Sequence, residues 1–412
     1  MRIYQHIPFQ RSMLRQATSA LGVFLGVFGL TAMAPLSAAD SYLYVWANDG
    51  DEADSDFLAV IDANPQSANY GAVLATKDVG MAVNAHHTEH RMPADKQLFM
   101  NGFKSGETFI MDLRDPLKPS IVAQFSGMAN FSHAHSFERA PNGNVIATFQ
   151  NGPNAERVTG GLVEIDPSGN LVRSAPGAAA GFPEIRPYSL AIAPEKDVIV
   201  TSTHDMRAEV IADAVQFWRL SDLSLKKTIR LPAGPQGYEN HYPVEPRLMD
   251  DGETLLVTTL NCGLYQIHDF YTDEPRAEHI YDFEFNHDAW CALPVTVGKY
   301  WIQTVPKRHG LVTLDLSDPS NPKEVSYVDL GDGRFPHWVA IDSSNERIVV
   351  TDFNDDPDKM TKVSVVNLDP SDGSLSIDKK FGDDGVVDFA REDWPHGSNG
   401  GAIPHGAVFS IP

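Results

Sequence analysis

The chain has 412 residues, 42% of them hydrophobic, and a formal net charge of −23. That apolar content is enough for a packed core, and the acidity repels phosphate backbones, which argues against nucleic acid as a partner. Two cysteines, Cys262 and Cys291, are too few for a disulfide scaffold or a thiolate zinc site; they can pair across neighbouring strands or remain buried thiols.

The chain begins with Arg2, Arg11 and Arg15 and no acid, then runs through LGVFLGVFGLTAMA to the small residues Ser37, Ala38 and Ala39. This is the pattern of a cleavable secretory signal. Its apolar part is shorter than the roughly 20 residues a membrane span needs, and no later stretch is apolar for long enough. Residues 1–39 are therefore read as a signal peptide and 40–412 as the mature chain, exported most simply to a bacterial periplasm.

From there the sequence repeats. Paired β-rich runs follow one another as SYLYVWAND/DFLAVID, LFMNGF/ETFIMDL, NVIATFQ/GGLVEID, DVIVTST/AVQFWRL, TLLVTTL/GLYQIHDF, YWIQTV/GLVTLDL and RIVVTDF/KVSVVNL, separated by turns such as APNGN, DDGE and DSSNE. Seven units over residues 40–412 give a period of about 53, near that of four-stranded propeller blades. The expected fold is all-β, a seven-bladed β-propeller, with no amphipathic helical period of useful length. The stretch between Met206 and Ala214 reads as a short helix or a loop. Each later unit is preceded by an apolar stretch suited to a blade's inner strand, whereas the first lacks one and the chain ends with a spare, IPHGAVFSIP. The C-terminal strand should therefore complete the first blade and close the ring, which removes an exposed sheet edge.

Six of these inner-strand stretches carry a histidine near their start: His87 in NAHHTEH, His135 in SHAHSF, His241 in NHYPVE, His287 in NHDAW, His337 in FPHWVAI and His405 in IPHGAVF. Inner strands converge on the central channel, so histidines at one register form a ring, and neutral imidazoles bind copper, iron or zinc. His86 neighbours His87, but alternate side chains on a strand face opposite ways, so both reach the channel only if the strand is bulged; His86 is a second ligand or a supporting group. His133, two residues before His135, shares its face and is a further candidate.

The fourth unit, RPYSLAIAPEKD, places Tyr188 where the others have histidine; it can fill the channel or handle a proton. Glu245, four positions past His241 and so expected on the same strand face, is a candidate base, ligand or imidazole-orienting group, or an ion-pair partner of Arg247. His204 and His396 belong to loops at the blade tops, His6 to the signal, and His268, His279 and His309 to outer strands or loops. No GxSxG, GxxxxGK[ST] or HExxH motif occurs. The acidic runs DGDEADSD and NDDPD are candidate calcium loops without strict spacing.

The stretches GGLVEIDPSGNLVRSAPG and HYPVEPRLMDDGETLLVTTL, the early HHTEH and the final PHGAVF resemble the selenium-binding protein and methanethiol oxidase family. The resemblance covers most of residues 40–412 and is best between Ser132 and Ile267. It implies a seven-bladed propeller and, as in the periplasmic bacterial members, a copper-dependent oxidase that converts methanethiol with O₂ to formaldehyde, hydrogen sulfide and hydrogen peroxide. Carried over by motif, the family's paired histidines fall on His86 and His87, its HxxH region on His133 and His135, its glutamate on Glu245 and its C-terminal histidine on His405. The cysteine pair that follows the double histidine in the family is absent here, where the chain reads RMPADKQ, so selenium attachment through those cysteines is not expected. HHxxH followed by QLFMNGF is also similar to the copper-cluster propeller of nitrous oxide reductase, although a cupredoxin electron-entry domain is not seen, so a complete nitrous oxide reductase is not expected.

The sequence thus points to a periplasmic copper oxidoreductase acting on a small molecule such as a thiol, with iron or zinc as alternative metals and a periplasmic electron carrier as a candidate partner. Three alternatives stand beside it: a non-catalytic copper-binding or scaffold propeller, an iron oxygenase of the four-histidine propeller type, and a calcium-dependent propeller lactonase, against which the histidines argue.

Overall fold

A computed structural model describes residues 42–412 apart from 154, 155, 157, 183, 207–209, 286–289 and 354–358. The segment read as a signal peptide lies outside the described residues, as does the NDDPD run. Seven antiparallel sheets follow one another along the chain as the blades of a propeller. Among the described residues the helical pieces are single 3₁₀ turns at Pro194–Lys196 and Pro306–Arg308, and no helix is long and apolar enough to cross a membrane. Where it is described, the stretch between Met206 and Ala214 is irregular.

The repeat produces this fold because each sheet is covered on both faces by neighbouring blades. Inner and middle strands are therefore buried along most of their length, as in Pro336–Ile341 and Phe57–Asp62, while outer strands such as Ser120–Phe125 alternate between half-buried and exposed. Large side chains fill the wedges between blades; Trp46, Trp218, Trp301 and Trp338 are among the largest fully buried ones.

The inner strands are Ala85–Thr88 in blade 2, Phe131–Arg139 in blade 3, Pro187–Ala193 in blade 4, Pro243–Leu248 in blade 5, Pro294–Val297 in blade 6 and Pro336–Ile341 in blade 7. Blade 1 receives its inner strand from the C-terminus: Ala402–Phe409 pairs antiparallel with Tyr42–Asp49, Leu43 facing Phe409 and Asp49 facing Ala402. The ring is closed as the sequence pattern requires.

One register expectation needs correction and a second falls outside the described residues. Blade 5's inner strand begins at Pro243, and Tyr242 just before it has φ 60°, so strand alternation does not extend back to His241, which lies in a bend and is not on the face of Glu245. Blade 6's inner strand begins only at Pro294, well past His287. His287 itself lies outside the described residues. The cysteine question resolves to a disulfide: Cys262 and Cys291, with Cα atoms 5.0 Å apart, tie the turn after a middle strand of blade 5 to the segment leading into blade 6.

Candidate metal centre

Five of the histidines picked out in the sequence meet in the channel. His86 and His87 come from blade 2, His135 from blade 3, His337 from blade 7 and His405 from blade 1. Ligand-capable ring atoms of His86, His87 and His135 lie within 4.8 Å of one another, as do those of His87, His337 and His405, all buried. His87 is common to both trios.

The paired histidines reach the same site because the strand is bulged. Pairing of blade 2's inner strand slips between Ala85 and Thr88, which is the condition that alternation demands; the two rings stack with centroids 4.0 Å apart. The side chain of Asn101, from the neighbouring strand, accepts the His87 backbone N–H at 2.7 Å and donates to the Ala134 carbonyl, so one amide fixes the bulge and links it to blade 3. The C-terminal strand crosses close by at Gly406, where a Cβ would meet the His86 carbonyl oxygen at 2.8 Å. No larger residue fits there without moving the bulge.

His135 is set up as a ligand by its own hydrogen bond. Its Nδ1 lies 2.9 Å from the Tyr188 carbonyl oxygen; a carbonyl only accepts, so the proton sits on Nδ1 and the Nε2 lone pair is free. That Nε2 is buried without a hydrogen-bond partner, as are His86 Nδ1, both nitrogens of His87, His337 Nδ1 and His405 Nε2. Buried polar atoms are rarely left unpaired, and so many in one place fit the binding of a cation. The donor set suits copper, iron or zinc.

Burial holds these imidazoles neutral, the form that coordinates metal. It lowers the pKa of His86, His87, His135 and His405 well below the usual 6.5, neighbouring imidazoles adding to the effect, and brings His337 down to about 3. The unfolded chain therefore binds more protons than the folded one below pH 6.5, so stability falls as pH drops from there, each such histidine contributing a slope of about 1.4 kcal/mol per pH unit. Glu245 and Glu138, raised by burial, act with the opposite sign but are outnumbered. The melting temperature of metal-free protein should drop steeply between pH 7 and pH 5; a flat profile would contradict buried, neutral imidazoles.

Other residues of the sequence reading lie apart from the cluster. His133, though two residues from His135, has φ 61°, which turns its side chain off the strand face; its ring packs by Gly106 and Ser132 and lines a cavity of about 410 Å³ at the channel mouth with Asn84, Phe103, Lys104 and Asp205. His241 remains in its bend beside Tyr242. His204, assigned to a loop, is buried 5.1 Å from the Tyr188 ring, and burial brings it down to about 4. In the DGDEADSD run the Asp56 carboxylate accepts backbone amides of Asp49, Val83 and Ala85, and Asp49 accepts that of Asp54, so both are occupied in fixing turns.

Tyr188 packs on His135 with ring centroids 3.8 Å apart. Beneath, Trp338 lies against both His87 and His90, stacking with the latter at 4.4 Å, and its indole N–H donates to the Ala407 carbonyl. Glu245 is fully buried there: Oε2 accepts from the Ser189 hydroxyl at 2.7 Å and pairs with Arg247 at 2.6 Å, while Oε1 has no partner. Burial raises its pKa, and Arg247 opposes that shift. Above the cluster, Phe103 contacts His86 and His135, Phe353 contacts His337 and His405, and Trp290 stacks on His337. Sequence reasoning missed Asn101, Phe103, Trp338 and Phe353, which carry no ligand-type group. The NG that ends the strand Gln97–Gly102 is the one local hint, at Asn101.

No family model matches the chain. A methanethiol oxidase from Hyphomicrobium sp. is 26% identical over 328 residues, 72% of this chain and 72% of that protein. Among solved structures, a hypothetical selenium-binding protein from Sulfolobus tokodaii superposes with a TM-score of 0.71 at 18% identity, covering 90% of this chain and 94% of that one. A periplasmic gluconolactonase from Pseudomonas aeruginosa superposes at 0.60 with 12% identity, covering 90% and 99%; at such identities the likeness concerns the propeller alone. The chain is thus distantly similar to the selenium-binding protein and methanethiol oxidase family, in sequence to a methanethiol oxidase and in fold to a selenium-binding protein.

Proposed function

We propose that the chain is a periplasmic copper-dependent oxidase of a small thiol, with His86, His87, His135, His337 and His405 holding the metal. The observation that carries this reading is the convergence of five buried, neutral imidazoles with unpaired nitrogens in two trios that share His87. The Hyphomicrobium methanethiol oxidase supports the substrate class. Copper bound there would supply one-electron redox chemistry toward O₂ and a soft centre for sulfur.

The chain's own residues supply the rest. The Tyr188 carbonyl holds His135 in the ligating tautomer, and Asn101 fixes the backbone of His87. Phe103 and Phe353 stand over the cluster and offer an apolar wall to a methyl-sized substituent. Glu245, with one oxygen anchored by Ser189 and Arg247 and the other free, can hold a proton close to the channel without binding the metal.

Metal stoichiometry measured beside thiol-dependent O₂ consumption tests the reading. Wild-type protein should bind copper and consume O₂ with methanethiol. Glu245→Gln should keep its metal and lose on the order of 10²-fold in kcat, the usual worth of a positioned acid–base group. Copper binding with no O₂ consumption for any small thiol would replace the oxidase with the storage or scaffold reading, and loss of metal in Glu245→Gln would make Glu245 a ligand.

A further inference from the structure

At the end of the channel away from its mouth lies a larger cavity, about 670 Å³, lined by Glu89, His90, Arg91, Glu138, Arg139 and Arg247 among others. Strand geometry fixes its depth. His135 and Glu138 are on one inner strand, three residues apart with a register shift between Ala134 and Phe137, so at about 3.3 Å per residue the funnel begins at most roughly 10 Å along the channel from the histidines.

The funnel's charges are unevenly engaged. Glu89 is taken up by Arg139 at 2.6 Å and by the Phe99 amide at 2.9 Å. Arg247 pairs with Glu245 and hydrogen-bonds His90 at 3.1 Å. The Glu138 side chain has no hydrogen bond or ion pair with any described residue, and the charged groups that act on it are Arg247, Glu89, Arg91 and Glu245. Arg247, which lines the funnel and pairs with Glu245, thus acts on two acidic groups, Glu245 and Glu138, and two carboxyls beside one positive charge in a partly dry site do not both ionise readily. The unpartnered Oε1 of Glu245 is a ready acceptor for the proton they share.

We propose that Glu138 and Glu245 form a proton relay between the water of this funnel and the histidine site, giving protons a route separate from the substrate's entrance at the mouth. This rests on the oxidase reading above. In the inward step the Glu138 carboxyl proton moves, directly or through one funnel water, to the Glu245 carboxylate, and Glu138, left ionised, is reprotonated by hydronium or a buffer acid; the outward step is the reverse. The funnel is rimmed by Arg91 and Asp95, both exposed to water. Burial brings the Glu138 carboxyl up to about 7, where it both gains and gives protons near neutrality.

Glu138→Gln should keep wild-type metal content, melting temperature and KM for methanethiol, lose 10-fold or more in kcat, and lose the inflection near pH 7 from the kcat profile. Glu138→Ala should recover activity on addition of formate, a carboxylic acid small enough to enter the funnel. Infrared titration of the metal-free protein provides a readout independent of turnover: one carboxyl band should titrate near pH 7 in wild type and vanish in Glu138→Gln. A wild-type kcat and pH profile in Glu138→Gln, or no formate rescue, overturns the relay and leaves the oxidase reading standing. Wild-type protein that consumes no O₂ overturns the oxidase reading instead, and the infrared band then decides whether Glu138 exchanges protons with the funnel.

Discussion

His87→Ala should abolish metal binding, while His337→Ala and His405→Ala should leave a weakened remnant. The asymmetry follows from the geometry: His87 belongs to both ligand trios, whereas removing His337 or His405 leaves His86, His87 and His135 together. Losing a partner that only orients a ligand costs about 10–100-fold in affinity, so losing the shared ligand should exceed about 10²-fold. His135→Ala should also leave a remnant, the His87, His337 and His405 trio, weakened further because the Tyr188 carbonyl is freed and the ring packed on His135 is unseated. Metal content by elemental analysis and affinity by calorimetry, with circular dichroism to confirm folding, provide the measurement. His133→Ala and His241→Ala are controls, since neither ring joins the cluster, and both should retain full metal. Full metal retention by His87→Ala would show that the trios are not the site.

The controls also mark where the sequence stopped being informative. Blade count and ring closure were legible because they follow from repetition: a unit recurring seven times, with a strand missing at one end and spare at the other, has one closed solution. Four of the six ring positions, His87, His135, His337 and His405, lie on inner strands where the repeat places them. What failed was register at the strand entrances. His133 and Tyr242 adopt positive φ, a choice set by neighbouring blades and invisible in SHAHSF or NHYPVE, and one such residue is enough to break the alternation on which face arguments depend. The bulge that brings His86 beside His87 has a remote cause as well, since it is held by Asn101 and accommodated by Gly406 from the other end of the chain. The aromatic roof was illegible because phenylalanines in loops carry no chemical signature until the fold sets them over the cluster.

Deleting the residues after Gly400 should leave a chain that cannot hold its ring. The lost segment contains the whole inner strand Ala402–Phe409, buried along nearly all its length, and its removal strips the pairing edge from Tyr42–Asp49. It also removes the carbonyls that accept the Trp338 indole and the Thr351 hydroxyl, leaving two buried donors unpaired. Burial of a side chain such as Val408 or Phe409 is worth about 1.5–3 kcal/mol; with the strand's other side chains and the lost hydrogen bonds, the total approaches the roughly 5–15 kcal/mol that keeps a domain folded. The exposed edge then offers a template for association. The expected result is insoluble protein, or soluble protein without a cooperative melt, and in either case no metal, because the trio that contains His405 is lost and the Gly406 crossing no longer confines the His86–His87 bulge on which the other trio depends. A synthetic peptide spanning residues 401–412, added during refolding, should restore solubility and metal binding together if its role is to complete blade 1. A truncated protein that is monomeric, melts as the full chain does and binds metal would mean that six complete blades and an open seventh suffice, and that the C-terminal histidine is a bystander to the site.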